Sequence, residues 1–433
     1  MKDRVISIDV LRGLTILLMV FVNDLGKAAP AWMHHIKPSS ADGMTLADVV
    51  FPLFLFIAGV SIPLAFRAAR SRGESTLRIF VHIVVRSAAL IVMGLVEVNR
   101  AADKSLGADL WGLLAFTFIL FAWCTVPKVK NLESQTRDTK RSIFIAIRAI
   151  GVIGLIAVLV LFRSEPVATK VLFMGDVEGW SWLRTQWWGI LGLIGWSYLA
   201  CALIFLVVGP RREWLVGAAC LLMLNFIVAQ HGGFFSHIET KQWVGPIEPL
   251  ISGIKSVIEF VNRYVSLQSQ LGSLPATMMC GCVLGTVLSK DSEIQSAKER
   301  VQWAMMFAAG LFVAGLMTDT FAGINKISAT PTWCLWSAAI ATVIWVGLFL
   351  VVDVRQWQAW SVPFRWAGQS PLVAYLLHPI LIFILTLTGM GGTVRSYWGS
   401  ENWLIVVAGS LAMAVVVCLL TGLLSKIGLR VRL

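Results

Sequence analysis

The chain has 433 residues, of which 57% are hydrophobic and 14% are charged, against roughly 25% charged residues in ordinary soluble domains. A soluble fold of this length could not hide so many apolar side chains, and the mean hydropathy of +0.78 excludes a soluble enzyme, a disordered chain and a disulfide scaffold. The composition indicates a polytopic membrane protein, in which a net charge of +12 reflects cytoplasmic loops rather than nucleic-acid binding.

Twelve apolar segments are long enough to cross a bilayer, which takes about 20 residues of α-helix. Lipid offers backbone amides no hydrogen-bond partner, so these segments are predicted to be helices and the fold class to be all-α. The first segment contains Asp9 and Arg12 and no small-residue cleavage site, so we expect no cleavable signal peptide. The predicted spans are residues 6–25, 46–66, 78–97, 109–127, 142–162, 187–208, 213–230, 274–289, 301–318, 334–352, 368–388 and 403–425.

The segments between the spans differ in charge. With the N-terminus inside, the cytoplasmic segments hold 21 Lys and Arg and the extracytoplasmic segments hold 12, although the latter are longer in total. The positive-inside rule then predicts that both termini are cytoplasmic, in a multi-pass protein of the inner (cytoplasmic) membrane. We expect a single transmembrane domain over residues 1–433, with no separate soluble domain.

Two of the predicted extracytoplasmic segments carry histidines. Segment 26–45 contains two of them, and segment 231–273, which is the longest, contains His231 and His237. Within the longest segment, apolar residues from 250 to 265 recur at helical spacing. This spacing predicts an amphipathic helix that lies on the outer membrane surface or caps the bundle.

Ionisable side chains inside a span are costly in lipid and usually face the protein interior. Asp9 and Arg12 share one helix face, either as an ion pair between helices or as part of an anion site. Arg86 lies mid-way along the third span, one turn after His82, and His378 lies near the middle of the eleventh. For each histidine, a hydrogen-bonded position in the core is the alternative to a functional role.

The strongest combination of polar residues lies in and beside segment 26–45. His34 and His35 are joined to Asp48 by a short turn that contains Gly43, all at the predicted outer boundary of the membrane. Histidine is the usual general base near neutral pH, and a carboxylate can orient it and stabilise its cation. This pairing suits acyl transfer, in which a nucleophile loses a proton as it attacks a carbonyl. The alternatives are transport, or a structural role in which Asp48 caps the second span.

The seven cysteines lie almost entirely in apolar runs. Cys280 and Cys282 form a C-x-C pair, but no second pair follows at metal-binding spacing. We therefore interpret the cysteines as small packing residues rather than disulfides or ligands, and we expect no metal site.

Two stretches of the sequence resemble a known family. Residues 7–24 read SIDVLRGLTILLMVFVND and residues 42–66 read DGMTLADVVFPLFLFIAGVSIPLAF. They resemble the transmembrane heparan-α-glucosaminide N-acetyltransferase family and its bacterial relatives, with D-x-x-R-G, then M-x-F-V-N, then His, then G-x-T-x-x-D-x-V-F-P. A weaker similarity covers 351–378, where Gly368 and His378 fit G-x-x-x-x-x-x-Y-x-x-H.

The resemblance implies an enzyme that moves the acetyl group of cytosolic acetyl-CoA to the amino group of a terminal glucosamine on the far side of the membrane. It implies a catalytic histidine in the loop after the first helix, which falls on His35, with His34 as the alternative. It also assigns site positions to Asn23 and Asp48. Acetyl-CoA would be a co-substrate, the acceptor would be an amino sugar or a glycan, and a homodimer is suggested.

The chain departs from the family in three places. His35 precedes Gly43 by eight residues rather than five, and Ser370 stands where the family has Asn. The family core has ten spans, so the hairpin 109–162 is predicted to be an insertion into that core.

The predicted mechanism follows from the separation of the two substrates. CoA would bind near the inner face, with Arg12, Arg86, Asp9 and His378 as donor-binding residues, and its pantetheine arm would reach the outer side. His35 would act either as the general base for direct amine attack or as an acetylated carrier, with Asn23 as an oxyanion donor. The alternatives are a multi-pass transporter and an O-acetyltransferase that acts on envelope polysaccharide.

Overall fold

A computed structural model of the protein describes residues 5–125, 134–171, 175–230, 248–262, 265, 270–426 and 430–431. Within these ranges nearly all regular structure is helical. The α-helices are α1 (Ile6–Asn23), α2 (Leu46–Ser71), α3 (Thr76–Asn99), α4 (Ala108–Ala122), α5 (Ser134–Leu161), α6 (Gly189–Val208), α7 (Arg212–Gln230), α8 (Glu248–Asn262), α9 (Ser273–Leu288), α10 (Ala297–Ala322), α11 (Pro331–Leu348), α12 (Val362–Gln369), α13 (Pro371–Leu387), α14 (Gly391–Val394) and α15 (Trp403–Lys426).

The predicted all-α polytopic architecture is confirmed. In the part of the chain that the structure describes, nine helices are long and apolar enough to cross a membrane. A tenth crossing would combine Ala359–Gln369 with α13, whose axes meet at 81°. The bend occurs at Pro371, which disfavours helical geometry at the residue before it. The two other predicted spans fall on the shorter apolar helices α4 and α9, so the total of twelve crossings stays a prediction.

The interhelical segments sort into two groups, one at each end of the bundle. At one end, the backbone amides of Ile6 and Ser7 donate to the Asp353 carboxylate at 2.9 and 3.0 Å. Arg67 forms an ion pair of 2.8 Å with Asp291 at this same end. Arg67, Asp291 and Asp353 belong to segments that the charge pattern assigns to the cytoplasm, and Ile6 and Ser7 begin the first predicted span. We call this end inner and the opposite end outer, and the side of the membrane that each end faces stays a prediction.

The outer end gathers the predicted extracytoplasmic segments. The Ile324 amide donates to Asp42 Oδ1 at 2.7 Å, which joins the segment after α10 to the segment after α1. The Arg184 amide donates to Asn99 Oδ1 at 3.1 Å, which joins the segment before α6 to the end of α3. The alternation of segments predicted from sequence is therefore present in the fold.

Glycines allow the central helices to approach at backbone distance. A Cβ at Gly59 of α2 would lie 1.9 Å from the Met278 carbonyl oxygen of α9. A Cβ at Gly368 of α12 would lie 1.9 Å from the Asp9 carbonyl oxygen of α1. Close approach through small residues is the usual basis of helix association in lipid. It makes α9 a fully buried helix and fixes α12 against the charged part of α1.

Other sequence predictions have mixed outcomes. The amphipathic helix forms as α8, while His231 and His237 lie outside the described residues. His82, predicted to be either a core or a functional residue, is instead exposed on α3. All seven cysteines are free and six are buried, which agrees with a packing role, whereas Cys220 is exposed.

Short strands occur that the sequence did not predict. An antiparallel hairpin, β2 (Val167–Val171) with β3 (Gly175–Trp180), lies in the outer segment between α5 and α6. At the inner end, β1 (Cys124–Thr125) pairs with β4 (Arg430–Val431). The second pairing ties the C-terminal segment to the end of α4.

Candidate active site

His35 and Asp48 form a hydrogen-bonded pair at the outer end. His35 Nδ1 lies 2.9 Å from Asp48 Oδ1. The other carboxylate oxygen, Oδ2, accepts the backbone amides of Ile36 at 3.2 Å and Thr45 at 3.1 Å. Asp48 is buried in the first turn of α2, where it closes a capping box with Thr45. The carboxylate therefore serves both as the helix cap and as the partner of His35, which sequence reasoning had treated as alternatives.

The chain between α1 and α2 determines which of the two histidines meets Asp48. A short 3-10 helix, Ala31–Met33, immediately precedes His34 and buries Met33 in the core. The His34 carbonyl oxygen lies 2.5 Å from Thr45 Oγ1. The His34 ring points elsewhere, and its Nε2 is buried with no hydrogen-bond partner among the described residues. The fold thus places His35, and not His34, on the carboxylate.

Lys326 completes this cluster, and sequence reasoning missed it. Its Nζ lies 3.0 Å from His35 Nδ1 and 3.3 Å from Nε2, although 291 positions separate the two residues. The neighbouring Asn325 donates to the carbonyl oxygens of Ala41 at 2.8 Å and Pro38 at 3.3 Å, which holds the lysine's loop against segment 26–45. Desolvation lowers the pKa of Lys326 to about 8, against the opposing effect of the Asp48 carboxylate. We call His35, Asp48 and Lys326 the outer cluster.

Asp9 and Arg12 are paired within α1. Arg12 Nη1 lies 3.4 Å from Asp9 Oδ1 and donates to the Gly368 carbonyl oxygen at 3.1 Å. Arg12 Nη2 donates to Ser61 Oγ at 2.7 Å. The pair therefore lies within one helix and not between helices, and Arg12 joins α1 to α12 and α2 through Gly368 and Ser61. Because Arg12 also lines two cavities, the anion-binding alternative remains open.

Arg86 projects from α3 into the bundle. Its Cζ lies 4.6 Å from the centre of the Tyr198 ring, which gives the cation an aromatic partner. Its Nε is buried and, within the described residues, makes no hydrogen bond. Arg86 and Arg12 line the same cavity, so the structure brings these two predicted donor-binding residues together.

Three cavities follow one another along α1 from the inner to the outer end. The inner cavity has a volume of about 890 Å³, the middle one about 350 Å³ and the outer one about 410 Å³. The inner and middle cavities share Arg12 and Ser61. The middle and outer cavities share Met19, Ile190 and Tyr375. Their shared walls make a row that begins beside Ile6 and ends beside Asn23.

The outer cavity contains Asn23 and His378. His378 therefore lies apart from the arginines with which it was grouped, and the described lining of this cavity does not include His35. His378 Nε2 is 3.5 Å from Asp24 Oδ1, and Tyr397 Oη donates to the same carboxylate. This makes a second histidine–carboxylate pair, of which the sequence had indicated only the histidine.

A buried carboxylate and several aromatic rings form the rest of the outer cavity. Tyr375 Oη donates to Glu97 Oε1 at 2.5 Å, and Arg100 lies in the same wall. Trp187 and Trp398 contribute indole rings. Carboxylates and flat aromatic faces are groups that a cationic sugar could contact.

Comparison with known proteins agrees with the motifs. Residues 4–179 match a family described as a domain of unknown function, DUF5009. The chain is 37% identical over 148 residues to heparan-α-glucosaminide N-acetyltransferase of Mus musculus, covering 31% of this chain and 22% of that protein. It is 43% identical over 99 residues to the Homo sapiens protein of the same name, covering 23% of this chain and 14% of that protein. Part of the chain is therefore similar in sequence to these N-acetyltransferases.

The similarity to the N-acetyltransferases is partial. The chain spans about a fifth of the mouse relative's length and less of the human one. The resemblance indicated by the D-x-x-R-G and T-x-x-D-x-V-F-P motifs is confirmed as a similarity over part of the chain.

Proposed function

We propose that this protein is a multi-pass acetyltransferase of the inner (cytoplasmic) membrane. It moves the acetyl group of cytosolic acetyl-CoA to the amine of an amino sugar on the extracytoplasmic side. The observation that carries the proposal is the row of three cavities along α1, which joins the basic inner end of the bundle to the histidine-bearing outer end.

The inner cavity fits the charged head of CoA. Arg12, Arg67, Lys290 and Arg365 all lie in its wall. Phosphate groups are recognised by such clusters of guanidinium and ammonium groups. Asp9 lies in the same wall beside Arg12, where it keeps the arginine oriented towards Ser61 rather than binding the phosphates itself.

The middle cavity fits the pantetheine arm. It has the smallest volume of the three, and apolar residues such as Phe54, Ile57 and Leu90 line it. Arg86 is its buried cation, with one nitrogen that lacks a hydrogen-bond partner among the described residues. An amide or thioester carbonyl of the arm would supply that partner, since buried polar groups are stable only when hydrogen-bonded.

The outer cavity receives the acceptor in this proposal. Glu97 would attract the ammonium group of an amino sugar, and the rings of Trp187 and Trp398 would contact the apolar faces of the sugar. Asn23, in the same wall, would donate a hydrogen bond to the oxyanion that develops on the thioester carbonyl.

His35 is the proposed base because Asp48 holds it at 2.9 Å with two backbone amides fixing the carboxylate. The bound ammonium group first releases one proton to solvent, and the neutral amine nitrogen then forms a bond to the acetyl carbon while the carbon–sulfur bond breaks. The amine's proton passes to His35 and then to the CoA thiolate. In the carrier variant, His35 itself takes the acetyl group and passes it to the amine. The His378–Asp24 pair, at 3.5 Å, is the alternative base, and His378 lines the outer cavity whereas the described lining does not include His35.

The test uses purified protein in proteoliposomes with acetyl-CoA labelled in the acetyl group. Three sugars are supplied as acceptors: glucosamine, glucose and N-acetylglucosamine. They differ at one position of the ring, which carries an amine, a hydroxyl or a blocked amine. Free CoA and the labelled sugar are measured by mass spectrometry. We expect CoA release that depends on glucosamine and label on its nitrogen.

The other outcomes separate the rival functions. Label on oxygen, with glucose as good an acceptor as glucosamine, would indicate an O-acetyltransferase. Sugar flux across the bilayer without CoA release would indicate a transporter. A His35→Ala protein that still binds acetyl-CoA is the matched control for the chemical step.

A further inference from the structure

A lysine, Lys326, lies beside His35, the proposed base. Lys326 Nζ is within 3.3 Å of both ring nitrogens of His35 and is brought there by the loop between α10 and α11. The loop is anchored rather than free, because the Ile324 amide donates to Asp42 and the Gly43 amide donates to the Ile324 carbonyl oxygen.

The hydrogen bonds around Asp48 fix the tautomer of His35. The two backbone amides that donate to Asp48 Oδ2 stabilise the ionised form of this group, and an ionised carboxylate can only accept hydrogen bonds. His35 Nδ1, which faces Oδ1 at 2.9 Å, must therefore carry a proton. Nε2 then carries the lone pair of the ring, and the Lys326 ammonium lies beside the ring as a nearby cation, 3.0 Å from Nδ1 and 3.3 Å from Nε2.

The cluster contains two basic groups and one carboxylate. When only one of Lys326 and His35 carries a positive charge, that charge balances the Asp48 carboxylate and the cluster is neutral. When the lysine and the imidazole are both protonated, the cluster has a net positive charge in a partly desolvated environment, which is unfavourable. A protonated lysine therefore disfavours protonation of His35 at Nε2. The adjoining elements also carry the charged or titratable side chains of His34, Lys37, Asp42 and Asp319.

We propose that Lys326 is a positioning residue for His35: its ammonium group keeps the imidazole neutral, with Nδ1–H on Asp48 and Nε2 available as the base. The lowered pKa of Lys326 agrees with this crowding of cationic groups. When the acceptor amine delivers its proton to Nε2, the imidazolium that forms lies beside the Lys326 ammonium, and this like charge favours onward transfer of the proton to the leaving thiolate. The inference rests on the proposed function only for this last step.

The test measures the titration of His35 directly, without acetyl transfer. Protein labelled with ¹³C in the histidine rings is titrated by NMR in nanodiscs, and His35→Gln identifies the signal. Lys326→Met removes the cation and keeps a flexible chain of similar length. We expect its His35 titration midpoint to rise, because removal of a neighbouring positive charge favours the imidazolium form. Lys326→Arg should restore the wild-type midpoint to within a few tenths of a pH unit.

A matched lysine tests whether the effect is local. Lys27 lies in the same outer segment but is exposed, so Lys27→Met should leave the midpoint unchanged. An unchanged midpoint in a folded Lys326→Met protein would overturn the proposal. If that variant is not monodisperse, Lys326→Gln is titrated instead and judged by the same criterion. Because the readout is spectroscopic, failure of the acetyltransferase assignment would leave this result standing.

Discussion

Asp48→Asn is expected to abolish most of the acetyl transfer while the fold persists. An amide has one acceptor oxygen, and the two backbone amides of Ile36 and Thr45 require that oxygen at the Oδ2 position. The NH₂ group must then face His35 Nδ1 and donate to it. This forces the ring proton onto Nε2, so the nitrogen that should act as the base becomes a donor.

The structure gives the magnitudes of both effects. The variant keeps its three hydrogen bonds but loses the charge that strengthens each one, at roughly 0.5–1 kcal/mol per bond, or about 2 kcal/mol of unfolding free energy in total. Loss of a general base typically lowers the rate by ~10²–10⁴-fold. The Asp48→Asn protein should therefore remain folded while its rate of acetyl transfer falls by this factor.

Initial rates of CoA release and thermal unfolding, measured on the same preparation, provide the test. Asp42→Asn is the matched control, because Asp42 Oδ1 accepts a single backbone amide at 2.7 Å that an amide oxygen can also accept. We expect the Asp42 variant to stay within about threefold of the wild-type rate, as for a surface cap. If Asp48→Asn kept more than a tenth of the wild-type rate, the tautomer reasoning would be refuted.

Three further predictions concern the base, the donor site and the topology. His35→Ala should lower the rate of acetyl transfer by at least ~10²-fold, and His34→Ala should lower it less. An inactive His34→Ala protein together with an active His35→Ala protein would show that the wrong histidine was chosen. Arg12→Ala and Arg86→Ala should each weaken CoA binding in a direct binding assay, and unchanged affinity in both would leave them as structural residues. Ser39→Cys, in a background without the exposed cysteine of α7, should react with an impermeant thiol reagent from the extracytoplasmic side. Labelling only after permeabilisation would reverse the orientation.

The sequence predicted the helices well because each span is a continuous apolar run bounded by polar segments. It was less informative about which face of a helix is buried. In a membrane, both the lipid-facing and the core-facing sides of a helix are apolar. The sequence therefore allowed a buried position for His82, which is exposed on α3 in the fold. The same ambiguity hides the outer cavity, where Glu97 meets Tyr375 of a helix 278 positions away.

The outer cluster shows the other limit of sequence reasoning. His35 and Asp48 are 13 positions apart, and their pairing could be anticipated from the short connection and the helix start at Leu46. Lys326 lies in an unremarkable loop between two spans, and its position depends on how α10 and α11 pack against segment 26–45. Tertiary contacts of this kind leave no local pattern in the sequence.

The distribution of charge along α1 fits the opposite charges of the two proposed substrates. Near the inner end the cavity wall carries Arg12, Arg67 and Arg365, which would hold an anionic nucleotide. Near the outer end, two buried carboxylates, Asp24 and Asp48, are each paired with a histidine that can accept a proton. A cationic amine approaching from the outer end therefore meets groups that attract and deprotonate it, while the phosphates are held at the other end. This arrangement favours transfer of the acetyl group between two bound substrates over passage of either substrate through the bundle, since a transported anion would have to leave its cations and pass the carboxylates.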